Sequence, residues 1–133
     1  MVAKNNKLKQ LNLNPLSIAK FFYEKLGAKA TEQPFIHPAL YLAYREIIKK
    51  ENIVIFKEEF ENWETTPVLP TVYAYLEKKE KPLFRQVPDI TNEIVLYHLE
   101  NICRRYQRQY KNGEPELFTC DLQFKAQKLA GNL

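Results

Sequence analysis

The sequence predicts a mainly α-helical protein, a single compact domain of about five helices with a short extended segment and a proline-rich elbow. Apolar residues recur at helical spacing in several stretches, which indicates amphipathic helices. The 133 residues are 45% hydrophobic and 13% aromatic, enough for one hydrophobic core. Only three are glycine, so no glycine-rich phosphate-binding loop is expected. We expect a basic, mobile lead-in at 1–13 and one helical domain at 14–133.

The first helix is predicted to begin at Asn14 and Pro15 and to stop at Gly27. Asparagine caps free backbone N–H groups, and proline suits the first helical position because its N–H would be unpaired there anyway. Residues 1–13 contain lysines and no acid, which is typical of a solvated terminus. The apolar stripe of the helix comprises Ile18, Phe22 and Leu26.

The second helix is predicted at about Pro38 to Glu51. Two starts are open, because Pro34 and Pro38 both restrict the helix upstream: His37 caps it, or it begins near Thr31 and tolerates a kink. Its apolar face comprises Leu40, Tyr44, Ile47 and Ile48. The following run at 53–56 is either a short strand or an extended buried linker, and we favour the linker.

Residues 57–64 are predicted to form one or two acidic helical turns that direct Phe60 and Trp63 into the core. The sequence TTPVLP then interrupts the helix, because residues before proline avoid helical geometry. A third helix is predicted through Val72, Tyr73 and Leu76, ending between Lys78 and Pro82.

The strongest helical pattern covers Thr91 to Tyr110, and a last short helix is predicted at Asp121 to Ala130. Asn112 and Gly113 mark the end of the long helix. Its apolar stripe follows the i, i+4, i+7, i+11 pattern with Val95, Leu99, Ile102 and Tyr106.

Residues suited to catalysis or metal binding are sparse. His37 and His98 have no metal-binding partners at helical spacing, and Cys103 and Cys120 match no zinc or disulfide pattern. Ser17 is the only serine and has no adjacent base. We therefore predict a protein that is not an enzyme and needs no cofactor. It should be cytoplasmic and have no membrane partner, since no signal peptide or apolar span is present.

A cluster of basic residues near the end of the long helix could bind nucleic acid, because cations beside aromatics can contact phosphates and stack on bases. The alternative is helix-dipole complementarity, since Glu93 and Glu100 precede the cluster on the same face. The cluster comprises Arg104, Arg105, Arg108 and Lys111.

The central segment resembles the Panacea domain, a SocA-like, phage-associated antitoxin family. The hallmark is a tryptophan, three residues, a proline, two apolar residues, a second proline, one residue, an apolar residue and a tyrosine. Leu40, Tyr41 and Ala43 also match a family helix, and the resemblance covers roughly 15–110. The matching residues are Trp63, Pro67, Val68, Leu69, Pro70, Val72 and Tyr73.

The resemblance implies a helical antitoxin that neutralises a protein toxin by direct contact. One departure concerns Thr65 and Thr66, which stand where the family usually has tyrosine and glycine. The same motif also suits a rigid elbow whose residues pack as scaffold, and this alternative stays open. The expected partner-binding residues are Trp63, Thr65, Thr66, Pro67, Val68, Pro70 and Tyr73.

Overall fold

Four α-helices and two small two-stranded sheets make up the described part of the chain. The structure is a computed structural model that describes residues 8–64, 66–78 and 84–111, with side chains as far as Arg105. The predicted helix at Asp121 to Ala130 lies outside these residues. The helices are α1 Pro15–Leu26, α2 Gln33–Glu51, α3 Pro70–Lys78 and α4 Glu93–Lys111, and the strands are β1 Lys9–Gln10, β2 Ile53–Val54, β3 Glu61–Trp63 and β4 Thr66–Val68. The mainly helical prediction is confirmed.

Helix α1 has the predicted bounds. The Asn14 side chain accepts a hydrogen bond from the Leu16 N–H at 2.9 Å, and Pro15 follows as the first helical residue. The helix stops because Gly27 has a φ of 94°, which only glycine adopts readily, and its N–H donates to the Tyr23 carbonyl. A 3-10 helix at Ala28–Thr31 then leads into α2.

Helix α2 begins at Gln33, so the predicted start at Pro38, with His37 as its cap, is wrong. The alternative of an earlier start is closer. Pro34 lies in the first turn, where a missing N–H costs nothing. Pro38 lies inside the helix and removes one backbone hydrogen bond, but every residue from Phe35 to Tyr41 is buried. The free energy gained by burying these side chains offsets the backbone hydrogen bond that Pro38 removes.

The chain before α1 pairs with the segment after α2. Strands β1 and β2 are parallel, with Lys9 opposite Ile53, and backbone bonds from the Leu11 and Leu13 N–H groups extend the contact to Ile55. The predicted mobile lead-in is therefore wrong for residues 9–13. The favoured linker is also wrong for Ile53–Val54, which form a strand, although Ile55 and Phe56 continue as buried extended chain.

The predicted helical turns at 57–64 are wrong, because this segment is extended and ends in a hairpin. Strands β3 and β4 are antiparallel, with Trp63 opposite Thr66, so only positions 64 and 65 connect them. Residues three apart share a face of a helix but lie on opposite faces of extended chain. Phe60 accordingly packs inward against Tyr41, with ring centroids 4.9 Å apart, whereas Trp63 is exposed.

The hydrophobic core lies between α1, α2 and α4, and α3 closes one side of it. Helix α4 begins two residues after the predicted start, where the Asn92 side chain accepts from the Val95 N–H at 3.0 Å. The predicted stripe is confirmed as far as side chains are described, because Val95, Leu99 and Ile102 are fully buried. Two side-chain contacts also fasten α4 to α2: His98 Nε2 lies 2.7 Å from a Glu51 carboxylate oxygen, and Arg105 forms an ion pair with Glu46.

Candidate protein-binding surface

The hairpin and the first turns of α3 present an aromatic pair at the surface. Trp63 is 39% exposed, and its ring centroid lies 5.0 Å from that of Tyr73, with an angle of 63° between the ring planes. The indole Nε1–H donates to a Glu61 carboxylate oxygen at 2.9 Å. We call the group formed by Glu61, Trp63, Glu64, Thr66 and Tyr73 the Trp63 surface.

The seven predicted partner-binding residues divide between surface and interior. Trp63 is exposed, and Thr66, Pro70 and Tyr73 are half-buried. Pro67 and Val68 are buried, so they position the hairpin and offer a partner no exposed surface. Thr65 lies outside the described residues. The structure thus brings Trp63, Thr66 and Tyr73 together. The burial of Pro67 and Val68 fits the scaffold interpretation, and the binding interpretation stays a prediction.

Beneath the aromatic pair lies His37, which is 2% exposed. Its Nδ1 accepts a hydrogen bond from the Leu69 N–H at 3.3 Å, and its Nε2 lies 2.7 Å from the Gln33 side-chain oxygen. The imidazole stacks against the Tyr73 ring, with centroids 6.2 Å apart. Burial lowers the pKa of His37 to about 4, so the ring is neutral at pH 7. With Nδ1 as acceptor, Nε2 carries the proton and donates to Gln33.

Two further polar side chains fix α3 in place. The Gln33 amide donates to the Tyr73 carbonyl at 3.0 Å and to a Glu77 carboxylate oxygen at 3.1 Å. A Glu58 carboxylate oxygen accepts from the Thr71 N–H at 3.0 Å, which caps the N-terminus of α3. The aromatic pair therefore rests on a framework tied to α2 and to the segment before β3.

The supporting role of Gln33, His37 and Glu58 was missed from sequence. Gln33 and His37 are four residues apart, a spacing at which helical side chains meet, and this signal was available. A start at Pro38 places both residues before the helix, and only the alternative start near Thr31 brings them onto one helical face. Glu58 reaches a backbone group 13 residues away, and no local pattern predicts such a contact.

Four carboxylates lie on the hairpin or contact α3 and its supporting side chains: Glu58, Glu61, Glu64 and Glu77. Within the described residues none of them forms an ion pair with a lysine, arginine or histidine. Their recorded hydrogen bonds come instead from neutral donors, namely the Trp63 indole, the Thr71 N–H and the Gln33 amide. Trp63 and its partner Tyr73 therefore lie near acidic side chains, although the chain as a whole has a net charge of +4.

The predicted nucleic-acid face is partly occupied by contacts within the protein. The Arg105 guanidinium donates to both carboxylate oxygens of Glu46, at 2.8 and 2.9 Å. Arg104 is exposed and bonds to Asn101. Arg108 and Lys111 lie on α4, but their side chains are outside the described part of the structure. Nucleic-acid binding stays a prediction, and Arg105 is less available for it than expected.

No metal-binding cluster is present among the residues that the structure describes. In 8–64, 66–78 and 84–105, no three His, Cys, Asp or Glu side chains are grouped so that they could hold a metal ion. His98 lies 2.7 Å from Glu51 across the α2–α4 interface. Cys103 is 4% exposed, and burial raises the pKa of its thiol to about 12. Across the same residues, the helices are too short or too polar to cross a bilayer.

Comparison with known proteins identifies no relative: no family model, curated protein or solved structure matches the chain. The similarity to the Panacea domain consequently rests on residue types and spacing alone, chiefly from Trp63 to Tyr73 and also at Leu40, Tyr41 and Ala43, and stays a prediction.

Proposed function

We propose that this protein is a binding module that contacts a protein partner through the Trp63 surface, without catalytic chemistry of its own. The observation that carries the proposal is the placement of the single tryptophan of the sequence, 39% exposed on a hairpin and packed on Tyr73. Trp63 and Tyr73 together form a small aromatic cluster at the surface, and aromatic side chains are enriched at protein–protein interfaces.

The geometry of Trp63 suits an interface anchor. Tryptophan and tyrosine are enriched among the residues that dominate binding energy, because they bury a large area for few rotatable bonds. Trp63 is held in advance by Tyr73 and by its hydrogen bond to Glu61. A side chain fixed before binding loses less conformational entropy when the partner arrives, which favours affinity.

The proposed class of partner follows from the resemblance. A Panacea-like, SocA-like antitoxin would neutralise a protein toxin by surface complementarity, and the exposed aromatic pair supplies an anchor for such contact. Thr65 and Thr66, which follow Trp63 closely in the chain, differ from the family pattern. We therefore propose a toxin specific to this protein.

The test is co-expression with the products of adjacent genes, followed by calorimetry on any complex. Trp63→Ala should weaken the complex by at least about 2 kcal/mol, roughly thirtyfold in Kd, as expected for an aromatic anchor. Tyr97→Ala is the matched control, because Tyr97 is a 63% exposed aromatic on α4 away from the hairpin. Equal affinity of the wild type and Trp63→Ala would refute the proposed surface. Absence of any toxic neighbour and of any captured partner would refute the proposed function.

A further inference from the structure

We propose that the partner presents an arginine-bearing, basic segment to the Trp63 surface. This inference rests on the proposed function and adds to it the chemistry of the partner. Its basis is the exposed indole together with nearby carboxylates that form no ion pair among the described residues.

The negative charge of the carboxylates around Trp63 favours a cationic partner. Glu61 lies beside the indole, Glu64 follows it in the chain, and Glu77 is one turn beyond Tyr73 on α3. No cationic side chain of the described residues pairs with any of the three. A basic segment would neutralise these carboxylates of the hairpin and α3, whereas an acidic protein, a nucleic acid or an anionic membrane would be repelled.

The arrangement of indole and carboxylate favours arginine over lysine. The Glu61 carboxylate accepts a hydrogen bond from the Trp63 Nε1–H, so it lies at the edge of the indole ring. A guanidinium can stack on an aromatic face while its N–H groups bond to an adjacent carboxylate. The lysine ammonium is a compact, strongly hydrated point charge and cannot make both contacts in the same planar fashion.

The decisive experiment uses hexa-arginine, hexa-lysine and hexa-glutamate peptides as probes, with Trp63 emission as the readout. Trp63 is the only tryptophan, so its fluorescence reports this surface alone. At 20 mM NaCl, hexa-arginine should give a saturable change and bind a few-fold more tightly than hexa-lysine. Hexa-glutamate should give no change, and 500 mM NaCl should abolish the arginine signal because exposed charges are then screened.

Charge-neutralising variants locate the effect. Glu61→Gln keeps an acceptor for the indole N–H, and Glu64→Gln and Glu77→Gln keep side-chain size. Each should weaken hexa-arginine binding about twofold to fivefold, the range for one exposed ion pair. Glu24→Gln is the control with the same change in net charge, because Glu24 lies on α1 in a cleft beside Asp89. It should leave binding unchanged.

Several outcomes would overturn the inference. They are the absence of a saturable signal with hexa-arginine, equal binding of hexa-lysine, or equal weakening by Glu24→Gln. Self-association of the protein alone that Trp63→Ala abolishes, seen by sedimentation, would identify a second copy as the occupant instead. With an authentic partner, binding that needs Trp63 but ignores salt and Glu64→Gln would refute only the arginine inference. Binding that ignores Trp63→Ala would refute the proposed function.

Discussion

Acidification should destabilise this protein through His37, the buried imidazole beneath the aromatic pair. Its Nδ1 accepts the Leu69 N–H, so protonation would place two N–H donors face to face and break that contact. Burial lowers the pKa of the folded-state imidazole from 6.5 to about 4. Between these values the unfolded chain binds a proton that the folded protein does not, so the free energy of unfolding falls as pH falls.

The magnitude follows from the two pKa values. The slope is at most about 1.4 kcal/mol per pH unit between pH 6.5 and pH 4, and the full loss is about 3 kcal/mol. Stability at pH 5 should be about 2 kcal/mol below that at pH 8 from this residue alone. Because domains of this size are stable by roughly 5–15 kcal/mol, the effect is large enough to measure.

The assay is urea unfolding at several pH values between 4 and 8, for the wild type and for His37→Asn. The asparagine side-chain oxygen can replace Nδ1 as acceptor for the Leu69 N–H but does not titrate. The variant should lose stability at pH 7 through lost packing on Tyr73, yet its deficit should shrink by about 2 kcal/mol at pH 5. Repeating both measurements in a His98→Gln background removes the other histidine of the chain as a source of the slope.

A deficit that stays constant from pH 8 to pH 5 in both backgrounds would refute the reasoning. It would mean that His37 binds its proton equally well in the folded and unfolded states, which contradicts burial as the cause of the lowered pKa. A ¹H–¹⁵N spectrum of the imidazole across the same range gives the folded pKa directly, and a value near 6.5 would have the same meaning.

Three further predictions concern polar groups that are buried or half-buried. Tyr41→Phe should leave stability unchanged or raise it by up to about 1 kcal/mol, because the buried Tyr41 hydroxyl has no hydrogen-bond partner among the described residues. Tyr75→Phe should instead cost about 1 kcal/mol in urea unfolding, because the Tyr75 hydroxyl accepts from the Phe84 N–H at 2.7 Å; the reverse order would contradict both assignments. In a Cys120→Ser background, Cys103 should react with a chromogenic disulfide at pH 8 about a thousandfold more slowly in the folded protein than in urea, since a pKa of about 12 leaves almost no thiolate. Comparable rates would refute its burial.

The helices that depend on local sequence patterns could be predicted from the sequence alone. Helix α1 depends on Asn14, Pro15 and Gly27, which act on backbone groups within four residues, and all three behave as expected. Helix α4 follows from the spacing of its apolar residues. Local caps and helical periodicity are properties of a short segment, so they can be predicted without knowing what the segment packs against.

The start of α2 and the structure of 57–64 could not be obtained in this way. Pro38 argues against a helix locally, and only burial against the rest of the core offsets the hydrogen bond that it removes. A spacing of three residues places Phe60 and Trp63 on the same face of a helix or on opposite faces of an extended chain, and the spacing does not distinguish the two structures. The choice depends on pairing with β4, which the sequence of the segment does not contain.

The sequence by itself determined the mainly helical fold, the bounds of its best helices and the distinctive residues from Trp63 to Tyr73. Only the tertiary structure decided which of those residues are buried and which are exposed. Pro67 and Val68 are buried, while Trp63 faces solvent against Tyr73, beside carboxylates that form no ion pair within the described part of the chain. The physical reason is that exposure and charge surround depend on contacts across 13 to 40 residues, such as those made by Glu58, His37 and Gln33. Local composition does not encode such distant contacts.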